Sequence, residues 1–297
     1  MEIGISVVVP CYNNWKYIEE LLDSFYALNL RYKSEVIIVD DASSEYINIK
    51  KYKYRNLKII NHKINLGVQE ARNTGLYSAS YKYIMMLDAD DKFPVYNENE
   101  ENFINLSIDM LEKNENIVFV HGLVEMFGAF DGYTISAYPV DAKMISRKHH
   151  VQTSIIYRCE EAKSAGGYFN QIQKWQDWSF GVALLNNRIC KNKKIDIGFL
   201  NITAYMYRIH EFSERISLKK VSEYEMTMKT IKRYREFFLK FYGNMVDEEL
   251  AKKILDSKPT RLIDLLYVAN YDFERAIDII SHRKYDVSSS NVLPNIP

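Results

Sequence analysis

Apolar positions in the first ninety residues fall into short unbroken blocks separated by longer stretches of mixed spacing. Ile5 to Val9 is the first block, rich in β-branched residues and closed by Pro10; a continuous run of this kind predicts a strand buried on both faces. Trp15 to Leu28 switches to helical spacing. Glu35 to Val39 and Leu57 to Asn61 give two further strand blocks, Val68 to Ala79 a second helix after the turn at Asn65-Leu66-Gly67, and Tyr83 to Leu87 a fourth strand. Strands alternating with helices predict a doubly wound α/β sheet, mainly parallel, with ligands gathered at the carboxyl ends of the strands.

Past Asp91 the pattern predicts a helix from Glu101 to Lys113, a strand from Ile117 to Phe127 and loop with short strands from Asp131 to Lys148. A helix from Gln173 to Asn187, with two tryptophans at its start, and a strand from Phe199 to Arg208 follow. After Ser217 the spacing becomes helical throughout: Tyr224, Met228, Ile231, Tyr234, Phe238 and Phe241 recur on one face, and helices are predicted over 248–255, 260–268 and 271–282. The resulting division is 1–217 as the α/β unit (1–100 and 101–217 as its halves), 218–287 as a helical region and 288–297 as a mobile tail.

Composition narrows the function. The 297 residues carry 39 Lys+Arg and 39 Asp+Glu, and this balance argues against nucleic acid as a partner. Glycine, at 11 residues, is about 4% of the chain against roughly 7% in average usage, so a glycine-rich phosphate cradle is not expected. The three cysteines, Cys11, Cys159 and Cys190, are widely spaced and fit reduced thiols. The apolar stretch at the N-terminus is too short for a signal peptide and no apolar run reaches 18 residues, so the chain is expected to be cytoplasmic, at most peripheral on a membrane.

Two acidic clusters stand at predicted strand ends. In Asp88-Ala89-Asp90-Asp91, three carboxylates within four residues repel one another unless a cation holds them, and Mg²⁺ or Mn²⁺ takes one or two carboxylates together with substrate phosphates. A solvated turn would also explain the cluster in isolation. Asp40-Asp41 suits hydrogen bonds from a base or ribose, but Asp-Ala-Ser-Ser is equally good turn chemistry. The adjacent His149 and His150 are expected to be solvent-exposed on opposite faces of a strand.

Four motifs in order, Val8-Val9-Pro10-Cys11-Tyr12-Asn13, Val39-Asp40-Asp41-Ala42-Ser43, Asn65-Leu66-Gly67-Val68 with Ala71-Arg72-Asn73, and Leu87-Asp88-Ala89-Asp90-Asp91, resemble those of family 2 glycosyltransferases, which have the GT-A nucleotide-diphospho-sugar-binding fold. Downstream, Ser164-Ala-Gly-Gly-Tyr-Phe followed by Trp175-Gln176-Asp177-Trp178, and Tyr207-Arg208-Ile209-His210 with Ser213 and Ser217, are similar to the family's acceptor-side and closing segments, so the resemblance spans about residues 3 to 217.

The resemblance implies that Pro10, Tyr12, Asp41, Arg72, Asp88, Ala89, Asp90 and Arg208 bind a nucleotide-diphosphate sugar, with a UDP-sugar favoured. It further implies that Asp88, Asp90 and His210 hold Mn²⁺ or Mg²⁺, and that Asp91, Gly167, Trp175 and Trp178 serve the acceptor. Asp177 is the candidate general base, since attack by a sugar hydroxyl on the anomeric carbon requires loss of its proton as the bond forms, and one base opposite the leaving group gives inversion. Gln176 departs from the Glu-Asp pair that family members often carry. The acceptor would be a glycan or lipid-linked glycan of a surface polysaccharide.

Between Arg215 and Lys240 eight basic residues face three acidic ones, an excess of five. This basic aromatic helix could meet an anionic membrane or a second subunit, or simply pack on the catalytic domain. A non-catalytic nucleotide-sugar-binding or assembly subunit on the same scaffold is the alternative reading. A sugar-nucleotide pyrophosphorylase lacks its Gly- and Arg-rich loop here, and a dehydrogenase its GxGxxG.

Overall fold

The computed structural model describes residues 1–46, 49, 56–97, 100–210 and 221–283. In chain order these form β1 (Glu2–Cys11), α1 (Trp15–Tyr26), β2 (Lys33–Asp40), β3 (Leu57–Asn61), α2 (Val68–Ser78), β4 (Tyr81–Met86), α3 (Phe103–Lys113), β5 (Ile117–Gly128) and β6 (Gly132–Tyr133). They continue with α4 (Ala142–Ser146), β7 (Ile156–Arg158), α5 (Cys159–Ser164), α6 (Gln176–Cys190), β8 (Asp196–Ile209), α7 (Glu223–Arg233), α8 (Arg235–Tyr242), α9 (Asp247–Asp256), α10 (Arg261–Tyr271) and α11 (Phe273–Arg283).

One sheet runs in the order β3-β2-β1-β4-β7-β5-β6, and β8 also pairs with β5. Pairing is parallel for β1 with β2 and β4, for β2 with β3, and for β5 with β8; the short β6 and β7 are antiparallel. Because Val7 to Val9, Val36 to Val39 and Ile84 to Met86 are fully buried, helices must cover both faces of the sheet, as their unbroken apolar runs require. Helix α1 buries Trp15, Ile18, Leu21, Leu22 and Phe25 on one face, and α2 lies so close to β1 that a Cβ on Gly75 would stand 2.2 Å from a Val8 methyl.

Register aligns the functional strand ends. Cys11 pairs with Asp40 and Asp40 with Asn61, while the Asp41 N–H donates to the Cys11 carbonyl at 2.8 Å. The chain leaving β4 is clamped to β8 by two Lys92–Met206 backbone bonds of 3.2 and 2.8 Å. That clamp brings Asp88 to Asp91 beside Arg208 and His210, which are more than a hundred residues distant in sequence.

Several expectations are corrected. β7 is three residues long, wedged antiparallel between β4 and β5, too short for any periodicity to mark it. The helix expected through Tyr224 to Phe241 breaks at Tyr234 into α7 and α8. Of its apolar stripe, Ile231, Tyr234, Phe237 and Phe238 are buried and share one core with Trp178 and Leu184 of α6 and with Leu250 and Ile254 of α9, while Tyr224 is exposed. His149 is buried against Tyr138 rather than exposed, whereas His150 is exposed as expected. Ser213, Ser217, the 217/218 boundary and the tail 288–297 lie outside the described residues.

Candidate active site

The site opens at the carboxyl edge of β1, β2 and β4, and its centre is a buried arginine. Arg72, on α2, is 3% exposed and donates through Nη2 to Asp88 Oδ1 at 2.8 Å and through Nη1 to Asp177 Oδ1 at 3.2 Å and Gln176 Oε1 at 3.3 Å. Its guanidinium also lies over the Tyr168 ring, 5.1 Å from the centroid. Burial works against its charge, but Asp88 and Asp177 more than offset this and hold its pKa above the usual value. A single cation thus ties the strand-end carboxylate of the N-terminal half to the first turn of α6.

Asp177 stands at the second position of α6, where its Oδ2 accepts from the Thr153 hydroxyl at 3.1 Å. Desolvation raises its pKa, moderated by Arg72 and reinforced by Asp88. The helix begins there because Trp175 adopts a left-handed conformation (φ 60°, ψ 37°), an uncommon state for an aromatic residue.

On the opposite wall Asp90 Oδ2 and His210 Nε2 are 2.7 Å apart. Arg208 donates through Nε to the Asp90 carbonyl at 2.7 Å, through its backbone N–H to Asp91 Oδ1 at 2.9 Å, and through Nη2 to Glu20. Lys92 also reaches Glu20, at 2.8 Å, and these two cations hold that carboxyl below its ordinary range despite partial burial. Asp91 is 2% exposed, and its pKa is pushed well up by burial and then by Asp88 and Asp90.

Four of the residues expected to meet ligands are otherwise engaged. Asp41 is buried with both oxygens taken, Oδ1 by the Leu66 N–H and His62 and Oδ2 by the Gly67 N–H; it builds the turn before α2 rather than facing a base or ribose. Asp91 is internal and fixes the Arg208 backbone, so it does not face an acceptor. Trp178 is core, with its indole N–H donating to the Ile145 carbonyl at 2.8 Å. Gly167 (φ 65°) is required because a Cβ would stand 2.4 Å from Asn73 Oδ1, and the Asn73 amide bonds both the backbone N–H and the carbonyl of Tyr168.

Of the others, Pro10 is buried in β1 opposite Val39, Ala89 is buried, Tyr12 is half-exposed and Trp175 half-buried. Glu20, Thr153 and Tyr17 were not marked by any motif. Glu20 and Tyr17 sit on the α1 turns facing away from its apolar stripe, with Tyr17 4.7 Å beneath the Arg208 guanidinium, and only the fold brings them to the site.

Among the described residues no group of three His, Cys, Asp or Glu side chains is gathered for a metal, so the expected trio of Asp88, Asp90 and His210 is not assembled as such. The donor set nevertheless suits a hard divalent ion. Asp90 and His210 are close enough for one ion to replace the proton between them, and the crowded carboxylates that raise Asp91 favour positive charge there. No helix among the described residues is long and apolar enough to cross a membrane.

The mainly parallel sheet flanked by helices has the GT-A fold. Residues 6–118 match the family model described as "Glycosyl transferase family 2", and in that segment the chain is similar to glycosyltransferases of that family. It is 25% identical over 242 residues to an uncharacterized glycosyltransferase of Haemophilus influenzae, covering 78% of this chain and 80% of that protein. It is 36% identical over 101 residues to the poly-β-1,6-N-acetyl-D-glucosamine synthase of Staphylococcus epidermidis, a match that spans 31% of this chain but only 24% of the synthase. Among solved structures, S. aureus TarS in complex with UDP-GlcNAc superposes with a TM-score of 0.66 at 19% identity, covering 96% of this chain and 92% of that one. The mannosyltransferase PcManGT of Pyrobaculum calidifontis, in complex with GDP-Man and Mn²⁺, gives 0.51 at 14% identity, with coverage of 98% and 84%.

Proposed function

We propose that the chain transfers a sugar from a nucleotide-diphosphate sugar, best a UDP-sugar, to a hydroxyl of a glycan or lipid-linked glycan, with inversion and with dependence on Mn²⁺ or Mg²⁺. The observation that carries this reading is the Asp88–Arg72–Asp177 bridge, which sets a donor-side carboxylate and an acceptor-side carboxylate across one cleft. The UDP preference draws on the UDP-GlcNAc bound by TarS and on the N-acetylglucosamine polymer named for the Staphylococcus epidermidis synthase.

Asp177 takes the acceptor proton. Its partial burial brings its pKa up toward the range useful for a base, Arg72 keeps it ionised, and Thr153 fixes the orientation of its second oxygen. Arg208, held by Glu20 and stacked between Tyr17 and Phe127, presents positive charge beside Asp90, where a diphosphate would accumulate negative charge as it leaves. Asp90 and His210 would hold the divalent ion, with Asp88 adjacent, and the ion would supply Lewis-acid neutralisation of that diphosphate. Tyr12, exposed at the rim, is suited to cover the nucleotide.

Two variants separate the halves of this reading. UDP with Mn²⁺ should raise the melting temperature of the wild type and of Asp177→Asn, but not of Asp90→Ala; Asp177→Asn should lose transfer by about 10²- to 10⁴-fold, the range of a general base. If UDP, GDP, CDP and TDP all fail to shift the wild type with Mn²⁺, the donor site is refuted, and an Asp177→Asn enzyme of normal rate would remove the base.

A further inference from the structure

The left-handed Trp175, two residues before Asp177, is surrounded by ammonium groups. Lys148 Nζ lies 4.2 Å, Lys174 Nζ 4.8 Å and Lys258 Nζ 5.6 Å from its ring centroid. The three come from different parts of the fold: the end of α4, the loop before α6 and the loop after α9. One carboxylate pairs with them directly. Glu223 Oε1 is 2.9 Å from Lys148 and 2.7 Å from Lys258, while Lys174 pairs with no carboxylate among the described residues. Asp264 adds a longer-range attraction to Lys258, so three positive charges stand against two negative ones around the aromatic ring, with Lys174 the unpaired cation among the described residues.

Exposure differs across the set. The Lys148 side chain is 1% exposed, with Nζ also donating to the Thr227 hydroxyl at 2.8 Å, whereas Lys258, Glu223, Lys174 and Trp175 remain partly open to solvent. Burial, and to a lesser extent Lys258 and Lys174, lowers Lys148 to about 8 against the opposing pull of Glu223. Like charges gathered on a desolvated wall repel one another, and an arriving oxyanion relieves that repulsion.

We infer that the acceptor is anionic: near the unit attacked at Asp177 it carries a phosphoryl or carboxylate group that docks on Lys174 and Lys258 beside Trp175. This rests on the assignment of the Asp177 side of the cleft to the acceptor. Glu223 already occupies part of the same cationic set, so its carboxylate models the kind of group the set accepts.

The test is a tryptophan-fluorescence titration with glucuronate, glucose 6-phosphate and glucose. Trp15 and Trp178 are buried with their indole N–H groups bonded, so quenching by an added sugar reports on Trp175. At least one charged probe should bind the wild type ten or more times tighter than glucose, and the advantage should shrink between 50 and 500 mM salt, as expected of a charge contact at a solvent-open wall. Lys174→Gln with Lys258→Gln should reduce the advantage to threefold or less, and the paired Lys→Arg variant should retain it. A preference for glucose 6-phosphate assigns a phosphoryl-bearing acceptor, one for glucuronate an acidic sugar, and a preference shared by both leaves the anionic acceptor standing. Equal binding of charged and neutral probes, or a preference surviving in the Gln variant, overturns the inference. The titration uses no donor, so its failure is distinct from a failure of nucleotide-sugar turnover.

Discussion

Arg72 has two acidic partners and one neutral one. The neutral partner is Gln176, whose side-chain oxygen accepts from the same Nη1 that reaches Asp177, so here the guanidinium charge is divided between Asp88 and Asp177 alone. Gln176→Glu would add a third carboxylate to one cation. Like-charge repulsion raises a carboxyl pKa, so the acid limb of the pH–rate profile should move to higher pH in this variant, with activity at neutral pH reduced. An unchanged acid limb would detach Asp177 from the base role or Arg72 from its tuning. At this scale the sequence was informative wherever a motif lies in one stretch of chain: Asp88, Asp90, Asp177, Arg208 and His210 all fall in the cleft. It misled where a side chain's partner is a distant backbone atom. Nothing in Asp40-Asp41-Ala-Ser-Ser reveals that Asp41 closes on the amides of Leu66 and Gly67, or in Trp175 to Trp178 that one tryptophan stays partly open to solvent while the other donates to Ile145.

Among the elements, strands with continuous apolar runs were legible and short antiparallel ones were not, because three residues such as Ile156–Arg158 offer no period to detect. β5 shows what its burial implies. Its His121 is 4% exposed, Nε2 has no hydrogen-bond partner among the described residues, and burial lowers the pKa to about 3. The folded-state value lies below the unfolded one, so this group's contribution is fully present above about pH 6.5 and is lost as pH falls toward 3, at about 1.4 kcal/mol per unit of pKa difference. His149, lowered to about 4 by burial and then by Arg147, acts in the same direction. His121→Leu should therefore flatten the fall in stability between pH 6.5 and 4, measured by urea denaturation at stepped pH. A slope equal to the wild type's would remove His121 as a source of acid sensitivity.

For the molecule as a whole, the helical region after residue 221 is not an appendage. α7, α8 and α9 complete the core that begins with Val8, Ile84 and Trp178, and Lys148 and Thr227 join them to the α4 turn by a buried hydrogen bond. Ending the chain at residue 217 would uncover Phe180, Leu184 and Trp178 together. Such a truncation should lose the cooperative melting transition rather than leave a smaller active enzyme, as calorimetry of the 1–217 fragment would reveal. α10 and α11 depart from this pattern: they dock through Val268, Ala276, Ile279 and Tyr138, while Leu266, Phe273, Ile277 and Ile280 point outward.

The position of Arg72 also has a thermodynamic corollary. Any group that binds Asp88 competes for a guanidinium that Asp177 shares, so occupancy at the nucleotide side alters the free energy of the acceptor side, and reciprocity requires the converse by the same factor. Acceptor affinity measured with and without UDP and Mn²⁺ should therefore differ, and the difference should vanish in Arg72→Met even where both ligands still bind. The enzyme would then sense the presence of its donor through one side chain, before any loop has moved.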